Sequence, residues 1–157
     1  MTLAIRNWLA ADLAANTKQA VFVIGHEPAY PFNNHVGDSL DKYPTDRNAF
    51  WSLLEQYNVN AYIVGHTHVY SKYQKDPGKT WQFDAGNAGN DNMGNGQTFI
   101  NITVTDTTVT YDVWRDADGA GGPGGFVLSD TVTQPIPEPA TMAIMALGAI
   151  GLLRRKR

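Results

Sequence analysis

The chain has 157 residues, no cysteine, 43% hydrophobic residues and a formal net charge of −3. That length allows one domain with a real core and not comfortably two, and the lack of cysteine excludes disulfides, thiolate metal ligands and a cysteine nucleophile. Four cations, Arg154-Arg155-Lys156-Arg157, end the chain and leave residues 1–134 with a net charge of −6, which argues against a nucleic-acid-binding surface, since that needs a basic face.

In chain order, "LAIRNWLAADLAA" (3–15) reads as an amphipathic helix, with Leu3, Trp8, Leu9 and Leu13 on one stripe. "AVFVIG" (20–25) is a short apolar, partly β-branched run ending in Gly, as in a strand buried on both faces. Residues 26–45 are rich in Pro, Asn, Gly and Asp and predict a long loop, a length that in a compact domain usually carries function. "DRNAFWSLLEQY" (46–57) predicts a second helix, capped by Thr45 or Asp46, with Phe50, Leu53, Leu54 and Tyr57 as its apolar stripe. "NAYIV" (60–64) is a second buried strand. Strand, helix and strand in this order predict a parallel unit with its chemistry at the carboxyl ends of the strands.

Beyond residue 70, "WQFDAG" (81–86), "QTFINITVT" (97–105) and "TVTYDVWRD" (108–116) read as strands. Asp106-Thr107 predicts a hairpin between the last two. "GNAGNDNMGNG" (86–96) is a polar loop, and residues 117–136, which begin "ADGAGGPGG", are expected to act as a flexible linker. No repeat of solenoid period is present.

Both predicted parallel strands run into Gly-His: "VIGHEP" (23–28) and "VGHTH" (64–68). Three of the four histidines, His26, His66 and His68, should therefore share one sheet edge. Imidazole is the commonest metal ligand. In extended chain, residues i and i+2 point the same way, so His66 and His68 should face one site. Gly25 and Gly65 allow sharp turns or close approach. The competing reading of each histidine is a hydrogen-bonded structural residue. Three of them on one edge are poor core material and favour metal.

The tail has its own pattern. Pro137-Glu138-Pro139 precedes an apolar run of 14 residues, 140–153, and the four terminal cations. As a helix this run spans ~21 Å, short of a ~30 Å hydrocarbon core, and with its flanks it crosses only marginally. The cations should stay on the cytoplasmic side. The tail resembles the PEP-CTERM sorting signal of exported bacterial proteins. That resemblance implies a C-terminal membrane anchor processed by an exosortase-type protease, and a protein exported to the cell envelope or beyond. Met1 leads straight into a helix with no secretory signal, so an export-type tail leads to the expectation that Met1 is not the true start.

"VIGHEP", then about forty residues later "VGHTH", resembles the calcineurin-like metallophosphoesterases. "GHEPAY" followed by "DRNAFWSLLEQYNVNAYIVGHTHVYSKY" is similar to their purple acid phosphatase branch. The resemblance implies an α/β fold, the C-terminal half of a helix-flanked double β-sandwich over residues 1–116, with a linker over 117–136 and a sorting and anchor segment, a short transmembrane helix, over 137–157. It implies a phosphoester substrate and two metal ions, drawn from iron, zinc and manganese, in the intact enzyme. His26 and His66 would ligate one ion and His68 the other. His35 would contact phosphate or protonate the leaving group as a catalytic residue, while Tyr30 and Tyr70 would line the pocket or serve packing. Asn87 and Asn90 lie in a loop placed to approach the site.

One departure is large. The family's first half carries Asp-x-His, Gly-Asp-x-x-Asp and Gly-Asn-His motifs, which this chain lacks. Gly37, Asp38 and Asp41 in "VGDSLDKY" imitate one of them in the wrong order and in a loop, and are read as coincidence. The expectation is a metal-dependent phosphatase or phosphodiesterase present as a fragment, inactive by itself and poorly soluble through exposed strand edges. The alternatives are a non-catalytic surface-anchored remnant or a plain metal-binding module.

Overall fold

The computed structural model describes residues 1–87, 96–116 and 125–136. Helix α1 spans Leu3–Ala15. Thr2 caps it by accepting the Ile5 N–H at 3.4 Å, and Leu9 and Leu13 supply its buried side. Helix α2 spans Pro44–Gln56 and so starts two residues before the expected boundary. Neither Thr45 nor Asp46 caps it: Pro44, with its φ already near the helical value, opens the first turn without a side-chain cap. Asp46 pairs instead with Arg6 of α1 at 2.6 Å, tying the helices together.

Helix α2 ends on Asn58, whose φ is +52°. The Asn58 N–H reaches the Glu55 carbonyl at 3.2 Å and the Val59 N–H reaches that of Leu54 at 2.9 Å. This paired closure is how a left-handed residue terminates a helix, with Asn in the place more often taken by Gly. It delivers the chain directly into the next strand.

Strands β1 (Phe22–Ile24), β2 (Ala61–Val64), β3 (Ser71–Gln74) and β4 (Trp81–Asp84) form one sheet in the order β1-β2-β4-β3. β1, β2 and β4 run parallel, and β3 is an antiparallel edge. Strands β5 (Gln97–Val104), β6 (Thr108–Asp116) and β7 (Phe126–Pro135) form a second, antiparallel sheet. The β5–β6 hairpin turns at Asp106-Thr107 as expected.

Alternation along β2 divides the core. Tyr62 and Val64 join Leu9, Leu13, Phe50, Trp51 and Leu54 on the helical face. Ala61 and Phe83 join Val109, Tyr111, Val132 and Ile136 of the second sheet and its end on the other. The result is a layer of helices, a mixed sheet and an antiparallel sheet, a mixed α/β fold.

Three readings change. β1 is an edge strand among the described residues and is not buried on both faces: Ile24 is 79% exposed. β3, with the polar sequence SKYQ, carries no hydrophobic alternation and forms because its backbone completes the edge beside β4. Residues 126–135, expected within a flexible linker, pair with β6 along its whole length, burying Val132 against Tyr111 and Phe83. Among the described residues no helix is long and apolar enough to cross a membrane. The apolar run 140–153 lies outside them, as do Asn90 and Pro137, Glu138 and Pro139.

Candidate metal centre

The parallel register continues past the strand ends. The Gly25 N–H bonds the Ile63 carbonyl at 3.0 Å and the Gly65 N–H bonds the His26 carbonyl at 3.3 Å. This sets the two Gly-His steps side by side. His66 Nδ1 lies 3.0 Å from His26 Nε2, with the ring centres 4.8 Å apart and edge-on. Gly25 leaves room for the Tyr62 side chain, because a Cβ there would sit 2.3 Å from the Tyr62 hydroxyl. That hydroxyl donates to the Glu27 carbonyl at 2.8 Å and pins the turn after His26.

His68 reaches the same edge by a different route from the expected one. β2 ends at Val64, and residues 66–69 are bends, not strand. His68 has φ +59°, so the two histidines are not successive outward residues of an extended chain. Thr67 between them is fully buried. Its hydroxyl donates to Asp84 at 2.7 Å, and its carbonyl accepts from the Asn34 side chain at 3.0 Å. The inward Thr67 turns its neighbours outward.

His35 comes from the long loop, at φ +58°. Its ring centre is 4.1 Å from that of His66 and 6.5 Å from that of His68. Its Nδ1 is 3.2 Å from an Asp38 carboxylate oxygen. All four histidines are therefore gathered, and Asp38 with them. One donor atom from each of His35, Asp38 and His66 lies within 4.8 Å of the others.

Two residues that the sequence reading passed over hold the loops in place. The fully buried Gln82 accepts from the Ala29 and Tyr30 N–H groups at 2.8 and 3.0 Å and donates to the Tyr30 carbonyl at 2.8 Å. The fully buried Asp84 accepts from Thr67 and, at 3.0 Å, from the Gly86 N–H. They stand two apart on β4, opposite Tyr62 and Val64, and so on one face. The available signal was a pair of polar residues in register within an otherwise aromatic strand.

Tyr30 packs edge-on against Trp51 at 5.0 Å and beside Tyr73 at 4.4 Å, with the Arg47 guanidinium 4.7 Å over its ring. Burial pushes its hydroxyl up. Tyr70 donates to Asp130 of β7 at 2.8 Å; burial first, then Asp130, raise its pKa. Both tyrosines thus have packing contacts, and the Tyr70 hydroxyl is engaged between the sheets. Asn87 is buried, and its side-chain NH2 has no hydrogen-bond partner among the described residues.

The donor set fits one ion better than two. Two adjacent dications need a carboxylate between them. Asp84 is committed to Thr67 and Gly86, and Asp41 accepts from the Gly37 and Ser39 N–H groups. Asp38 is the one carboxylate that meets two imidazoles closely among the described residues.

Residues 2–70 match the family model of the calcineurin-like phosphoesterases, and residues 135–157 match that of the PEP-CTERM protein-sorting motif. Among solved structures, Vps29 from Chaetomium thermophilum is similar at 14% identity and a TM-score of 0.43, over 62% of this chain and 50% of that one. A double and a single mutant of Vps29 from Entamoeba histolytica are 17% and 21% identical, each with a TM-score of 0.36, over 60% of this chain and 50% of theirs. The chain spans about half the length of these structures. No curated protein matches it.

Proposed function

From a chain that carries a calcineurin-like phosphoesterase region and a PEP-CTERM motif, we propose that it is part of an exported, metal-dependent phosphoester hydrolase. The observation that supports this most is the meeting of His26 and His66 at 3.0 Å on the carboxyl edge of the parallel strands.

In this reading His26 and His66 would hold one ion, and His68 would help hold a second in the intact enzyme. When bound, an ion of this kind would polarise a phosphoryl oxygen and lower the pKa of its water toward neutral. The chain's own residues supply the remainder. Asp38 orients the His35 ring, and His35 carries the proton for the leaving oxygen. Tyr30, held by Gln82, lines the approach. The tail takes the protein to the envelope, with a membrane anchor and an exosortase-type protease as its partners there.

The test is phosphate release from p-nitrophenyl phosphate by the complete reading frame, any upstream coding sequence included. His66→Ala and His68→Ala should each lower the rate at least ~100-fold, since even outer-shell changes at metal sites cost 10–100-fold. Unchanged release in both variants defeats the reading. No hydrolysis at saturating zinc, iron or manganese favours a non-catalytic surface protein.

A further inference from the structure

The chain contains a carboxylate poised against its histidines that the family-type ligand set does not use. Asp38 sits in the turn that follows His35, and the turn is closed locally: the Ser39 hydroxyl donates to the His35 carbonyl at 2.9 Å. Asp41 secures the same turn by accepting from the Gly37 N–H at 2.7 Å. The turn thus presents His35 and Asp38 as a pair, and the pair faces His66 across the gap between the loop and the end of β2.

We propose that His35, Asp38 and His66 form a single-ion site for zinc or a similar divalent cation, and that this is the chain's own metal centre. The proposal rests on the metal-binding part of the reading above and gives His35 a ligand's role in place of a proton donor's. Nitrogen and carboxylate donors bind zinc at about 2.0–2.2 Å, which places neighbouring donor atoms roughly 3–3.6 Å apart. The three atoms here lie within 4.8 Å, so they must draw in by a little over ~1 Å. Side-chain rotation suffices, because the His35 and Asp38 side chains are 36% and 61% exposed. Two neutral imidazoles and one carboxylate leave the site with a single net positive charge, and three protein ligands leave a position for water or a phosphoryl oxygen. His68 lies farther off, its ring centre 6.5 Å from that of His35.

The test is zinc titration of the whole chain by competition with a chromophoric chelator, with cobalt absorption as a check on coordination. One ion should bind per chain. Asp38→Asn and His35→Gln should each weaken binding at least ~10-fold, while Asp12→Asn, on the exposed side of α1, should leave it within a factor of ~3. Asp38→Glu, which keeps the carboxylate, should recover most of the loss, and circular dichroism identifies any variant that fails to fold. Binding that falls with His68→Gln and not with Asp38→Asn overturns the proposal and leaves the family-type reading standing. Failure of the unaltered chain to bind one equivalent of zinc also overturns it, independently of phosphate release by the complete reading frame.

Discussion

His66 Nδ1 and His26 Nε2 are 3.0 Å apart although forty positions separate the residues. Two backbone bonds beyond the strand ends, Gly25 to Ile63 and Gly65 to His26, carry the parallel register into the Gly-His steps. The contact is therefore a product of strand pairing, and disturbing the paired backbone should disturb the histidines.

Gly25 is the most sensitive point of that backbone. The new methyl of Gly25→Ala meets the Tyr62 ring and hydroxyl, which the Glu27 carbonyl already holds. We expect a loss of ~1–3 kcal/mol in urea unfolding, as for an overpacked core site. Ala at Gly37, where no atom lies within 4 Å but φ is +90°, should cost about 1 kcal/mol through backbone strain alone.

Gln82→Leu removes three bonds to residues 29 and 30 while preserving much of the side-chain volume. The Ala29 and Tyr30 N–H groups are then left without their acceptor, at about 1–3 kcal/mol for each buried group so stranded. Hydrogen exchange at these two amides should accelerate well ahead of exchange in β6. Equal protection in variant and parent would show that the glutamine is not their anchor.

Asp84→Ala should release Thr67 and the Gly86 N–H together. Because Thr67 sets the direction of both neighbouring histidines, the ring signals of His66 and His68 should broaden or move in NMR spectra while those of β5 and β6 stay in place. Thr67→Val should reproduce part of this change, since it removes the shared bond and keeps the shape.

Asp130 joins the two sheets, accepting from Tyr70 at 2.8 Å and pairing with Lys72 at 2.7 Å. Burial raises its carboxyl, but the bonds from Lys72 and Tyr70 outweigh it and hold it below the usual range. A lowered folded-state pKa contributes stability that is fully present above the unfolded carboxylate value of ~3.9, and is lost as pH falls through the lowered value. Asp130→Asn should thus unfold more easily at neutral pH, by roughly 1 kcal/mol for a pair this accessible to solvent, and match the parent near pH 2. A constant difference across that range would rule the carboxylate out.

Among the described residues β1 is an open edge that carries Ile24 at 79% exposure, and Trp8 on α1 is 66% exposed. Unpaired apolar edges recruit other strands. Ile24→Lys should lower concentration-dependent association of this chain in sedimentation velocity. Unaltered association would place the contact elsewhere.

Much of the first half was legible in the residues. Apolar runs of the right length produced β1 and β2, and the stripe of Phe50 and Leu54 produced α2. Gly-His at two strand ends placed His26 and His66 on one edge. β3 was not legible, because an edge strand held by backbone pairing needs no hydrophobic alternation. β7 follows a glycine-rich stretch, and it becomes a strand because β6 offers it a full ladder.

What the sequence determined by itself was the two helices, the parallel pair β1 and β2, and His26 and His66 at their carboxyl ends, since an apolar period is local and a helical crossover between two strands makes them parallel. Only the tertiary structure decided which carboxylate meets those histidines. Asp38 looked like a motif out of order, while Asp84 and Gln82 looked like ordinary strand residues. The left-handed turn at His35 brings Asp38 toward His66, and burial commits Asp84 and Gln82 to the loops. The His35 turn is closed by Ser39, four residues on, whereas Thr67 and Ala29 are held by partners 33 and 53 residues away in the chain, which no local pattern reveals.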